Sequence, residues 1–173
     1  MDSSTERERA FSEYEENLEL LTHIPFFAVM PVEALKVTAY LCRREAFKAG
    51  DALFQQDEVD DHAYYFLEGA AALLRKFDLG EEKLRAFGAG DFLGGLSLLS
   101  GAPRLFSLKA ETPLTCLVLA GEEFRKTLER FPEAVSLVMN EAFLQIHRWE
   151  YDLVVQHAAA CPRCKSAVGV TLI

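Results

Sequence analysis

The apolar positions of this chain change period twice. Residues 5–22 place Phe11, Tyr14, Leu18 and Leu21 three or four apart, which predicts an amphipathic helix. Ile24-Pro25-Phe26-Phe27 interrupts it and reads as a short apolar connector. Pro31 suits the first position of a second helix ending near Leu41, with Leu35 and Ala39 inward. From Cys42 to about Leu119 the runs shorten to Glu45–Phe47, Ala52–Phe54, Ala63–Leu67, Ala71–Phe77, Lys83–Phe87, Phe106–Ala110 and Leu114–Leu119. Turn residues such as Ala49-Gly50-Asp51, Glu68-Gly69, Asp78-Leu79-Gly80 and Thr112-Pro113 separate them, the pattern of an all-β barrel or roll. Gly94–Ser100, between glycines, predicts one or two helical turns inside this region. After Gly121 the helical period returns. Phe124, Leu128 and Phe131 mark one helix, and Pro132 opens the longest one, running to about Ala159. The expected organisation is helices over 1–41, a β-roll over 42–120, helices over 121–160 and a tail over 161–173.

Half the residues are apolar and 26% are charged, so the chain can build a core and is not of disordered composition. The 18 Lys+Arg against 27 Asp+Glu give a net charge of −9, which argues against a nucleic-acid footprint. Seven acids and two bases fall within residues 1–20, so the remainder carries only −4. No 18-residue apolar run and no apolar leader core appear, so neither a membrane span nor secretion is expected. Four cysteines in a chain of this length do not suggest a disulfide framework, and a cytoplasmic setting is the expectation. Cys42 and Cys116 lie in apolar runs and are expected in the core. No nucleophile elbow, acid–base pair or phosphate-transfer motif is present, so an enzyme is not expected.

The stretch Gly90–Ser107 carries the candidate chemistry. Gly94 and Gly95 open the short helix with unobstructed backbone N–H groups, a natural anion seat. Arg104 follows nine residues after Gly95, once the chain has turned through Gly101 and Pro103. Its planar guanidinium matches phosphate oxygens, and Ser107 adds a hydroxyl donor. Spacing alone also allows, and slightly favours, a tight glycine turn followed by a surface arginine.

Gly90-Asp91-Phe92-Leu93-Gly94-Gly95-Leu96-Ser97-Leu98, followed by Pro103-Arg104-Leu105-Phe106-Ser107, resembles the phosphate-binding cassette of the cyclic-nucleotide-binding domain. That domain occurs in catabolite-activator-type regulators, cyclic-nucleotide-gated channels and kinase regulatory subunits. Phe47–Gln56 is similar to the family's opening hairpin, and Ala63–Gly69 to its Tyr-x-Ile-x-x-Gly strand. The resemblance covers residues 20–157. It implies a mainly β protein with flanking α: an eight-stranded double-stranded β-helix (a β-roll of jelly-roll type) with N-terminal helices and a long C-terminal helix. The implied ligand-binding residues are Gly94, Gly95, Leu96, Ser97, Arg104 and Ser107. Three positions depart from the pattern. The glutamate that binds the ribose 2′-hydroxyl falls on Gly95, a hydrogen bond to a charged group being worth about 1.5–3 kcal/mol, or roughly tenfold to a hundredfold in affinity. The small residue before Ser107 is Phe106, and a loop glycine is Asp57. A cyclic nucleotide, another small anionic ligand and a pocket that binds nothing therefore all stay open.

In the last helix Val135, Met139, Ala142, Ile146, Trp149 and Leu153 are spaced 4, 3, 4, 3 and 4, a heptad seam. Leu137, Leu144, Tyr151 and Val155 form a second stripe. One face is expected on the β-roll and the other against a second copy, as the resemblance also implies; the N-terminal helix is the other possible cover. Cys161-Pro162-Arg163-Cys164 supplies two thiolates, half a tetrahedral zinc site that a dimer would complete, or a redox pair, or an uncoordinated tail. Only 13 residues follow position 160, too few for a helix-turn-helix, so output through a downstream protein partner is expected rather than direct DNA binding.

Overall fold

The computed structural model describes residues 3–153. Its elements in chain order are α1 (Ser3–His23), α2 (Pro25–Ala28), α3 (Val32–Leu41), β1 (Arg43–Phe47), β2 (Ala52–Phe54), β3 (Ala63–Glu68), β4 (Ala70–Phe77) and β5 (Gly80–Gly88). Then follow β6 (Phe92–Leu93), α4 (Gly95–Leu99), β7 (Ser107–Ala110), β8 (Leu114–Leu119), α5 (Gly121–Arg130) and α6 (Pro132–Leu153). The eight strands form two four-stranded antiparallel sheets, ordered β1-β8-β3-β6 and β2-β7-β4-β5. The expected β-roll with N-terminal helices and a long C-terminal helix is the architecture found.

Strand alternation builds two cores from one sheet. Along β3, Tyr64 and Phe66 point between the sheets and join Phe54, Phe87 and Leu108. Ala63, with Tyr65 and Leu67, turns to the other face and meets the helices. β8 behaves alike: Leu114, Cys116 and Val118 enter the roll, whereas Leu117 and Leu119 meet the helical layer. Successive side chains of a strand point to opposite faces. Covering both faces explains why these runs read as continuously apolar rather than alternating. Cys42 and Cys116 are buried free thiols, and burial pushes both up to about 12.

The helical layer differs from the sequence reading in four places. Ile24–Phe27 is not merely a connector: Pro25 opens the one-turn α2, whose Phe26 and Phe27 are fully buried among Phe92 and Phe124. Pro31 is the residue before α3 rather than its first helical residue. Leu21 of the predicted α1 stripe is buried, but Phe11 is exposed. The buried face of α6 is Ala134, Val138 and Ala142, and it rests mainly on α2 and α5 rather than on the strands. Of the heptad seam, Val135, Met139 and Trp149 are exposed, as are Leu137, Leu144 and Tyr151 of the second stripe. The region beyond residue 153, with Cys161 and Cys164, lies outside the described residues.

Candidate functional site

Arg104 sits in the loop between α4 and β7, and the backbone fixes it on both sides. Its N–H donates to the Glu58 carbonyl and its carbonyl accepts from the Asp57 N–H, each at 2.8 Å. The loop after β2 thereby grips the arginine's main chain. The side chain turns inward and is only 5% exposed. Its guanidinium carbon lies 4.1 Å from the centroid of the Phe54 ring, a cation–π arrangement in a desolvated setting.

Four of the five guanidinium donors are used. Nε–H and one Nη2–H converge on Asp60 Oδ2 at 2.9 and 2.6 Å. Nη1 donates to Ser97 Oγ at 2.6 Å, and the second Nη2–H donates to the His62 carbonyl. Asp60 is saturated from the other side, since its Oδ1 accepts the His62 Nδ1–H at 2.6 Å. Burial pushes the Asp60 carboxyl up, but the hydrogen bonds from His62 and Arg104 and the guanidinium charge outweigh this and hold it below the usual carboxylate range. The hydrogen bond to Asp60 raises His62 against the opposing effect of burial, with the Asp60, Asp61 and Glu45 carboxylates adding to the rise.

The next residue makes a second connection. Asp61 Oδ2 pairs with Arg125 of α5 at 2.8 Å, and Arg125 also donates to the Leu98 carbonyl in α4 at 3.2 Å. Gly121, at the head of α5, makes room: a Cβ there would stand 2.6 Å from both the Arg125 guanidinium and the Asp61 carboxylate.

Among the residues singled out from the sequence, Ser97 and Arg104 meet. Ser107 lies nearby, but its Oγ accepts from the Gln56 N–H at 2.9 Å rather than touching the guanidinium. Gly94 caps α4 with a φ of +101°, and a Cβ there would stand 2.6 Å from the His62 carbonyl, so glycine is required twice over. Gly95 is buried, and a Cβ on it would reach Phe26 at 3.0 Å and Phe92 at 3.2 Å. The position expected to carry a carboxylate is thus backed by an aromatic wall from α2. The Leu96 side chain is exposed. Phe106 rests against Phe54, ring centroids 6.2 Å apart. Asp60, His62, Phe54 and the Asp61–Arg125 pair were not foreseen. The acidic run Asp57, Glu58, Asp60, Asp61 was a visible signal, but nothing in spacing ties it to an arginine 44 residues later.

Comparisons with known proteins bear on this arrangement. The model of the cyclic nucleotide-binding domain matches residues 44–131. The chain is 29% identical over 128 residues to a cAMP-dependent protein kinase regulatory subunit of Hypocrea atroviridis, covering 74% of this chain and 26% of that protein. Across the first three curated relatives the chain spans only 26%, 30% and 29% of their lengths. Catabolite Activator Protein of Thermus thermophilus superposes with a TM-score of 0.61 at 25% identity, over 78% of this chain and 63% of that one. The N-terminal domain of a Streptomyces coelicolor transcriptional regulator has the same fold, with a TM-score of 0.68 at 24% identity over 80% and 97% of the two chains. With the family model spanning half the chain across the roll and its cassette, the chain belongs to the cyclic nucleotide-binding domain family.

Proposed function

We propose that this chain is a regulatory binding module whose cassette takes a small phosphate-bearing anion, a cyclic nucleotide or an analogue, at Arg104. The observation that carries the reading is the burial of Arg104 at the centre of the cassette, with Ser97 on its guanidinium and an aromatic ring beneath it. A buried cation held by a side-chain hydroxyl and two backbone hydrogen bonds is pre-organised for one anion. Gly94, Gly95 and Leu96 form the backbone turn beside it, and Ser107 stands at the start of β7. Output runs through the C-terminal helices. α4 packs on α5, and Arg125 ties α5 to both Leu98 and Asp61, so a shift of α4 is felt in α5 and α6. The exposed stripes of α6 supply a surface for a second copy of the chain and for a downstream partner.

Isothermal calorimetry with cyclic AMP, cyclic GMP and cyclic dinucleotides tests the reading. Binding by one of them, weakened at least tenfold in Arg104→Ala, is the expected result, with circular dichroism as the check that the variant folds. A second reading is favoured by the internal use of four of the five Arg104 donors and by the absence of a carboxylate at Gly95: the pocket is vestigial and the chain acts as an interaction module through α6 and the Cys161/Cys164 tail. Absence of heat with every nucleotide, together with self-association, selects that reading. Zinc analysis of untagged protein tests the tail separately.

A further inference from the structure

We propose that Gln56 is the positioning residue of the cassette: its side-chain amide takes the place of a missing strand partner and hangs the turn that grips Arg104 on β4. The inference rests on the reading of Arg104 as the anion anchor and adds the residue that holds the anchor's loop in place. The strand order creates the need. β7 lies between β2 and β4, and its pairing with β4 runs from Ala110 opposite Ala71 to Ser107 opposite Leu74. β7 begins at Ser107, while β4 continues to Phe77. Past Leu74, β4 therefore pairs with β5 alone, and the edge that faced β7 lies open where the cassette chain turns away. Gln56, two residues past the end of β2, reaches across this gap: its Oε1 accepts the Lys76 N–H at 2.9 Å. The backbone donor that β7 leaves behind is thus taken by a side chain from the far side of the gap. The N–H of Gln56 itself donates to Ser107 Oγ at 2.9 Å, and the next two residues hold the Arg104 main chain from both sides. The turn is closed on itself, since the Glu58 carboxylate accepts the Gln55 N–H at 2.8 Å. Arg75 adds a second tie from β4: its guanidinium donates to the Leu105 carbonyl and lies 5.6 Å from the centroid of the Phe77 ring. Residues 104 and 107 are accordingly tied to β4 through Gln56, and residue 105 through Arg75. Loss of the amide leaves the turn intact but frees it from the sheet. Arg104 then spends part of its time out of the binding geometry, and the apparent affinity falls by that fraction.

The experiment compares wild type with Gln56→Met, which keeps the length and loses the acceptor, and Gln56→Glu, which keeps an acceptor at the same place. Amide hydrogen exchange is followed residue by residue by NMR, and cyclic AMP binding by calorimetry. In wild type the Lys76 amide is expected to be protected. In Gln56→Met, exchange at Lys76, Asp57 and Arg104 should rise at least about threefold, with Leu108 and Ala110 of the same sheet unchanged, and affinity should fall about threefold to tenfold. Gln56→Glu should restore the protection. A rise spread evenly over β4 and β7 marks a merely structural residue and overturns the inference. Unchanged exchange at Asp57 and Arg104, or unchanged affinity in a protein that binds, overturns it too. No binding by wild type overturns the anchor reading, and the exchange pattern alone then decides for or against Gln56. If Gln56→Met does not fold, Gln56→Asn, one methylene too short to span the gap, replaces it. A fast-exchanging Lys76 amide in wild type overturns the inference without any variant.

Discussion

Asp57 holds a φ of +67°, the one positive φ outside glycine among the described residues. The left-handed region costs a residue with a Cβ about 1–2 kcal/mol, although aspartate tolerates it better than most. Glycine's larger entropy loss on folding offsets part of that. Asp57→Gly is therefore expected to raise stability by about 0.5–1 kcal/mol, read as a higher urea midpoint at unchanged slope; a lower midpoint contradicts it. The resemblance places a loop glycine at this position, and the backbone gives the reason. Arg104 and Ser97 were legible because they sit within a short segment whose glycines and proline announce a turn. Asp60 was not, because the fold alone brings it across 44 residues to the arginine. Gly95 was legible as a missing carboxylate, but the aromatic wall behind it was not, since Phe26 comes from a segment read as a connector.

At the scale of elements, the two changes of period were readable because the strands and long helices each present several turns or alternations. α2 and β6 escaped, as a four-residue helix and a two-residue strand contain too few positions to show a period. α6 was read correctly as a helix with more apolar surface than one neighbour covers, but its covered face is Ala134, Val138 and Ala142 against helices. Small residues at this face let α6 lie close to α2 and α5, and they leave the larger side chains Val135, Met139 and Trp149 outward. Such a stripe on a 22-residue helix is expected to close against its copy. Sedimentation velocity at tens of micromolar should show a dimer, and Met139→Glu should shift it to monomer with an unchanged circular dichroism spectrum. A wild-type monomer at that concentration rules the dimer out.

For the whole molecule, the ion pairs at residues 60–62 couple stability to pH. His62 is raised above its ordinary value of 6.5 by Asp60, so the folded state holds its proton more tightly than the unfolded chain. Its contribution is fully present below pH 6.5 and is lost as pH rises through the higher folded-state value. Asp60, held low, acts in the opposite sense: its contribution is present above the ordinary carboxylate range and is lost as pH falls through its folded-state value. The urea midpoint of the wild-type protein should therefore decline as pH rises above 6.5, and His62→Gln should flatten that decline. An identical slope in both proteins removes His62 from the account.

Asp60 and Asp61 are neighbours that hold two different cations, one in the cassette and one at the head of α5. Their Cα atoms stand about 3.8 Å apart across a trans peptide, a length that cannot stretch. The Arg104 loop and the helical layer are accordingly tied through adjacent residues one peptide unit apart. Gly121 leaves room for the helical end of that tie, because a Cβ there would collide with Asp61 and Arg125 alike. A backbone shift at residue 60 therefore reaches the Asp61–Arg125 pair with no residue in between.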